Sequence, residues 1–178
     1  MSEAMSEREG GWFIADTARV LGDVRVGRGV SFWFGSVARG DVAPITVGDG
    51  TNVQDNAVIH CDAGVPNEIG EHVTIGHAAV VHGASVGDWS LIGMSATLLG
   101  KSAIGRECLV AAGAVVPPGM NVPNRTLVAG VPARIVRELN DADLAYLRRL
   151  PPHYTQLAAR YAAGDVPGNA PRPLDSVR

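Results

Sequence analysis

Residues 59–86 read IHCDAGVPNEIGEHVTIGHAAVVHGASV. Within this stretch an aliphatic residue returns every six positions, at Ile69, Ile75 and Val81, and glycine follows the first two. The step of six extends both ways. Upstream it runs through Ile14, Val20 and Val26, then resumes at Val47, Val53 and Ile59. Downstream, after a step of five to Val86, it continues through Ile92, Leu98, Ile104, Val110, Val116, Val122 and Val128. Aliphatic-glycine dipeptides recur on this register at Val26-Gly27, Val47-Gly48, Ile69-Gly70, Ile75-Gly76, Val86-Gly87, Ile92-Gly93 and Ile104-Gly105.

A period of six fits neither a helix at 3.6 nor a strand at 2 over such a length. It is the signature of a parallel β-helix with hexapeptide rungs. The aliphatic residue fills the interior, and the glycine eases a turn at a corner. A second small residue follows four places later, at Val24, Val30, Thr51, Ala57, Val73, Ala79, Ser85, Ser90, Ala96, Ser102, Cys108 and Ala114. Three rungs make a coil, and coils stack at roughly 4.8 Å, the strand spacing. Aromatics are only 5% of the chain, so the core is aliphatic.

Two segments interrupt the repeat: residues 38–44 (ARGDVAP) and the loop 61–68 (CDAGVPNE). The reading divides the chain into a flexible tail over 1–10, a β-helix domain over 11–136, a helical segment over 137–164 and a disordered tail over 165–178. Asn140 or Asp141 caps a helix that runs to Leu150, with Asp143 in its first turn. Pro151-Pro152 then breaks or restarts it, and a second helical set spans Tyr154 to Ala163. A net charge of −3 without a basic run argues against nucleic acid as a partner. No apolar run is long enough to span a membrane. The polar amino terminus is no secretory signal. Two cysteines, Cys61 and Cys108, suit a reducing compartment, so the expected location is cytoplasmic.

The grid turns histidine spacing into geometry. His60 follows Ile59 and His82 follows Val81, one coil apart on the same face. Two imidazoles about a strand spacing apart can chelate one metal. His77, two places after Ile75, lies on the neighbouring face and reaches such a metal only from a second chain. The spacing therefore predicts a cyclic oligomer whose shared site has three imidazoles and an open position, the ligand set of a catalytic zinc. A lone histidine on a solenoid face is more often an exposed polar residue, which is the reading for His72; His153, beside two prolines, is read as structural. Arg39, Asp41, Gln54 and Asp55 cluster one and two coils earlier, where Arg and carboxylates suit bidentate pairs across an interface and Gln54 suits orienting metal-bound solvent.

The segments FGSVARGDVAPITVGDGTNVQDNAVIH (34–60), VTIGHAAVVHGASVGDWSLIGM (73–94) and LVAGVPARIVREL (127–139) resemble the γ-class carbonic anhydrases and their bacterial relatives over about residues 12–163. The resemblance implies a mainly β protein, a left-handed parallel β-helix of hexapeptide repeats with a C-terminal α-helix, assembled as a homotrimer. It implies zinc, or iron in some members, held by His60 and His82 of one subunit and His77 of the next. It makes Arg39, Asp41 and Asp55 the intersubunit ion-pair set, puts Gln54 beside the metal-bound solvent and brings Tyr154 from the C-terminal helix toward the site. The implied reaction is hydration of carbon dioxide to bicarbonate by metal-bound hydroxide. Two departures bear on proton export: Val42 stands where the well-characterised catalysts carry glutamate, and the loop after His60 is short, leaving Glu68 as the nearest acid. Three alternatives stay open: a hexapeptide acyltransferase using acyl-CoA, a CoA-ester thioesterase, and a non-catalytic metal-binding assembly protein.

Overall fold

A computed structural model describes residues 4–82 and 85–166. The chain winds as a three-sided parallel β-helix of the left-handed type, and each side is one aliphatic column of the sequence grid. On the first face Ile14, Phe32, Val53, Ile75, Ile92, Val110 and Val128 pair in register. The second face stacks Val20, Ala38, Ile59, Val81, Leu98 and Val116. The third stacks Val26, Val47, Ile69, Val86, Ile104 and Val122. From Phe32 and Ala38 onward these side chains are almost wholly excluded from solvent, so the column interiors are the core. Phe32 and Ala38 complete the grid between Val26 and Val47. The hexad pattern hides them because one is aromatic and the other a single methyl.

The glycines after the aliphatic residues have a different origin from the expected one. None of Gly27, Gly48, Gly70, Gly76, Gly87, Gly93 and Gly105 adopts a positive φ. Instead the next coil leaves no room for a side chain: a Cβ at Gly87 would lie 2.6 Å from Arg106 N and Gly105 C, and one at Gly48 2.6 Å from Gly70 C. The left-handed corner positions fall to other residues, among them His72, Trp89, Glu107 and Arg125, which stack on one edge. His72 and Trp89 lie ring on ring there, 4.1 Å between centroids. The small residues four places on point inward as expected, and their hydroxyls are satisfied within the stack, as where Ser90 donates to Gly105 O and accepts from Cys108 N. Ser85 is the exception, because the step of five to Val86 turns it outward.

The first interruption breaks register without leaving the sheet. Val37–Val47 is one strand along Arg19–Val26, and its pairing slips between Gly22 and Val24 to accommodate residues 41–44. The second loop ends sooner than expected, since Asn67–Ile69 is already strand. Met5–Arg8, read from sequence as part of a flexible tail, pairs antiparallel with Trp12–Ala15 and buries Met5 completely. The remainder of the expected carboxy-terminal tail, 167–178, lies outside the described residues.

The C-terminal segment is one helix, Asp141–Ala162, running through Pro151 and Pro152. Proline removes a helical hydrogen bond and crowds the preceding turn, but its φ is helical. Packing on both sides of the pair carries the helix through. Leu144 and Leu147 sit on Leu91, Leu109 and Leu127 of the first face, while Tyr154, Leu157, Ala158 and Tyr161 pack on the main core. Asn140 caps it by accepting from Asp143 N, and the Asp143 side chain accepts from Asn140 N. No helix among the described residues is long and apolar enough to cross a membrane. The helix lies along the first face. Val37, Val58, Val80, Thr97 and Val115 form a half-buried, largely aliphatic row on the outside of the second.

Candidate metal centre

Parallel pairing of Val58–His60 with Val80–His82 sets His60 directly against His82, with ring centroids 5.3 Å apart. Both rings point out at the corner after the second face, 19% and 32% exposed. His77 stands on another corner, 40% exposed, as the offset of two after Ile75 requires. Among the described residues no three histidine, cysteine or carboxylate side chains of one chain come close enough to hold a metal.

Each histidine meets a carboxylate from the preceding coil. His77 Nδ1 lies 2.8 Å from Asp55 Oδ2. His60 Nε2 lies 3.0 Å from Asp41 Oδ1, and His82 Nε2 lies 3.0 Å from Asp62 Oδ1. A carboxylate partner fixes the orientation of an imidazole; at His77 it sits on Nδ1, whereas at His60 and His82 it sits on Nε2. Asp41 also accepts from Arg39, and these two contacts, that with His60 foremost, hold its carboxyl below the usual range. The predicted ion-pair residues thus divide within one chain: Arg39 and Asp41 join the His60 corner, and Asp55 joins His77.

Gln54 is nearly buried, its amide donating to Asn52 Oδ1. With Tyr154 it lines a mainly apolar cavity of about 310 Å³ between helix and first face, also bordered by Gly76 and Met94 beside the His77 corner. Tyr154 is held edge-on by Trp33, 5.5 Å between centroids. Burial first, then the Asp55 carboxylate, pushes its phenol pKa up, so Tyr154 feels the charge at the His77 corner. Glu68 stands elsewhere, on the third face between Thr46 and Ser85. Strand alternation turns it away from the histidine corner, and the acid that the loop sets against a histidine is Asp62 instead.

Two residues of this corner escaped the sequence reading. Asp62 was legible: it follows Ile59 by three, as Asp41 follows Ala38 by three. Asn67 had no such signal. It is buried and donates to His60 O at 2.9 Å and Val81 O at 3.2 Å, which clamps the short loop across the corner.

Residues 66–100 match the model of the hexapeptide repeat of succinyl-transferase. The chain is 43% identical over 157 residues to the mitochondrial gamma carbonic anhydrase 1 of Arabidopsis thaliana, covering 85% of this chain and 57% of that protein. It therefore spans little more than half the length of that plant relative. A probable carbonic anhydrase of Methanocaldococcus jannaschii is 41% identical, with 82% of this chain and 91% of the archaeal protein covered. Among solved structures, a hexapeptide transferase family protein from Anaplasma phagocytophilum superposes with a TM-score of 0.82 at 34% identity, over 90% of this chain and 99% of that one. A helix-flanked β-helix with its histidines one coil apart, matched along nearly the whole archaeal sequence, places the chain in the γ-class carbonic anhydrase family of hexapeptide-repeat proteins.

Proposed function

We propose that the protein is a γ-type carbonic anhydrase, a homotrimer that hydrates carbon dioxide reversibly to bicarbonate at metal sites shared between copies. The observation that carries this reading is the in-register pair His60–His82 on one corner, with His77 on another. One chain supplies two imidazoles at a corner, and a second copy supplies the third. The donor set fits a borderline divalent cation: three imidazoles, two from one corner and one from a second copy. His60, His82 and the next copy's His77 would hold zinc, with iron as the other candidate. A cation there supplies Lewis-acid activation of water at neutral pH.

The chain's own residues do the rest. Asp55 orients the His77 ring. Arg39, Asp41 and Asp55 supply opposite charges to two corners that meet in such an assembly. The aliphatic row Val37, Val58, Val80, Thr97 and Val115 gives the second face an apolar surface suited to a second copy. Gln54 and Tyr154 border an apolar cavity in which a neutral, linear substrate is better solvated than an ion. The two buried free cysteines suit a reducing compartment, and we assign the protein to the cytoplasm.

Stopped-flow carbon dioxide hydration on zinc-loaded and anaerobically iron-loaded protein tests the reading, with His77→Ala beside it. Hydration above the buffer rate that disappears in His77→Ala is expected. Its absence in both metal forms would reject the activity. The solved hexapeptide transferase neighbour makes CoA esters the next substrates to assay in that event.

A further inference from the structure

We propose that apolar side chains at the two ends of the shared site, Leu21 with Phe34 at one and Met94 with Leu99 at the other, meet across the contact between two copies of this chain and close the site from both sides. The inference rests on the shared-site reading above.

Two corners of the solenoid carry columns of side chains in step with the coils. The corner after the first face carries Phe34, Asp55, His77 and Met94, each two places beyond the stacked residue of its coil. The corner after the second face carries Leu21, Arg39, His60, His82 and Leu99, each one place beyond its stacked residue. Height along a solenoid rises with residue number, and rotation about an axis parallel to the solenoid leaves height unchanged. In a ring of copies about such an axis the two columns therefore interleave in numerical order. His77 falls between His60 and His82, which is the shared site. One coil earlier, Asp55 falls between Arg39 and His60, a carboxylate at the level of a cation. The same rule puts Phe34 between Leu21 and Arg39, and Met94 between His82 and Leu99. Charged and ligand groups fill the middle of the contact, and apolar side chains fill both ends.

The four side chains have the exposure that such a contact requires. Leu21 and Met94 are 51% and 56% exposed in a single copy. Phe34 and Leu99 are half-buried. Phe34 rests against Trp33 and Tyr161, with ring centroids 6.4 and 6.1 Å away, which holds its ring in place. Met94 borders the cavity that Gln54 and Tyr154 line, and its unbranched thioether adapts to an irregular partner surface. The half-buried row of Val58, Val80 and Thr97 lies on the face that joins the two corners. Apolar contacts around a polar centre exclude water from it.

The test uses the full-length, zinc-loaded chain and follows the trimer by sedimentation and native mass spectrometry over a dilution series. Met94→Lys and Leu99→Glu are each expected to raise the concentration at which the trimer dissociates by at least about tenfold, as for loss of one buried interface anchor. The two positions stand on different corners of one chain, so in the double variant lysine and glutamate meet only between copies. That variant is expected to recover most of the loss. Leu21→Glu is expected to weaken the trimer from the other end. Dissociation unchanged from wild type in either Met94→Lys or Leu99→Glu overturns the proposal. So does a double variant no more stable than the singles, which would put both residues in the contact but not opposite one another. A wild type that is monomeric at every concentration rejects the shared-site reading itself, and this inference falls with it. Circular dichroism melts identify any variant that fails to fold, and the variants that fold then decide.

Discussion

Glu107 occupies a left-handed corner position and faces two arginines, Arg125 from the next coil and Arg148 from the helix. Arg148 first, then Arg125, holds its carboxyl below the usual glutamate range. A depressed folded pKa contributes stability above the unfolded value, about 4.3, and that contribution is lost as pH falls through the folded value. Glu107→Gln is therefore expected to lower stability at pH 7 by about 1 kcal/mol, the upper end for a surface pair. Urea melts should show that difference closing as the pH is lowered past the glutamate range. A constant difference down to pH 3 would mean that the side chain contributes through packing and not through charge. The same residue-level logic separates the histidines. His72 stacks on Trp89 with its backbone in a strained corner and is structural, whereas His60, His77 and His82 each meet a carboxylate.

The rung is the element that repeats, and its tightest constraint is the glycine. Each aliphatic-glycine dipeptide puts a backbone with no side chain where the next coil passes. At Gly87 the neighbours are backbone atoms of Gly105 and Arg106, which cannot swing aside as a side chain would. Gly87→Ala is expected to cost about 1–3 kcal/mol, as for other overpacked sites. The far-ultraviolet β signal should be kept, and the melting temperature should fall by several degrees. A melt unchanged from wild type would show that the coils separate more easily than their packing implies. The helix makes the complementary point. Intrinsic preference says that Pro151-Pro152 should end it, but leucines on one side and aromatic packing on the other carry it across the pair.

At the scale of the whole molecule, the proposed site draws on two copies, and mixing variants tests it. His77→Ala lacks one half of each site and His60→Ala lacks the other. In a cyclic trimer any mixed assembly has one interface where an intact His60–His82 corner meets an intact His77. Each variant alone is expected to be inactive, and refolding them together at equal amounts should restore roughly a quarter of the sites. Recovery would be read as zinc bound per chain and as hydration rate. No recovery, with mixed oligomers present by native mass spectrometry, would place His77 outside the shared site.

The sequence by itself determined the architecture, because a period-six pattern of aliphatic residues has one economical way to bury itself, and it determined the stacking of His60 on His82, because a coil contains three rungs. It also contained Asp62, at an offset already used by Asp41, although an acid in a loop carries no signal until its counterpart is noticed. Other features depended on contacts between distant segments. Met5 is buried by pairing with Trp12–Ala15 and by the helix that crosses near it. Asn67 acquires its role only when the loop folds over the carbonyls of His60 and Val81. The glycines were visible as a pattern, but their cause was not. Nothing in a hexad distinguishes a glycine needed for its φ from one needed for the space above it, because that space is set by the backbone of a coil about eighteen residues away.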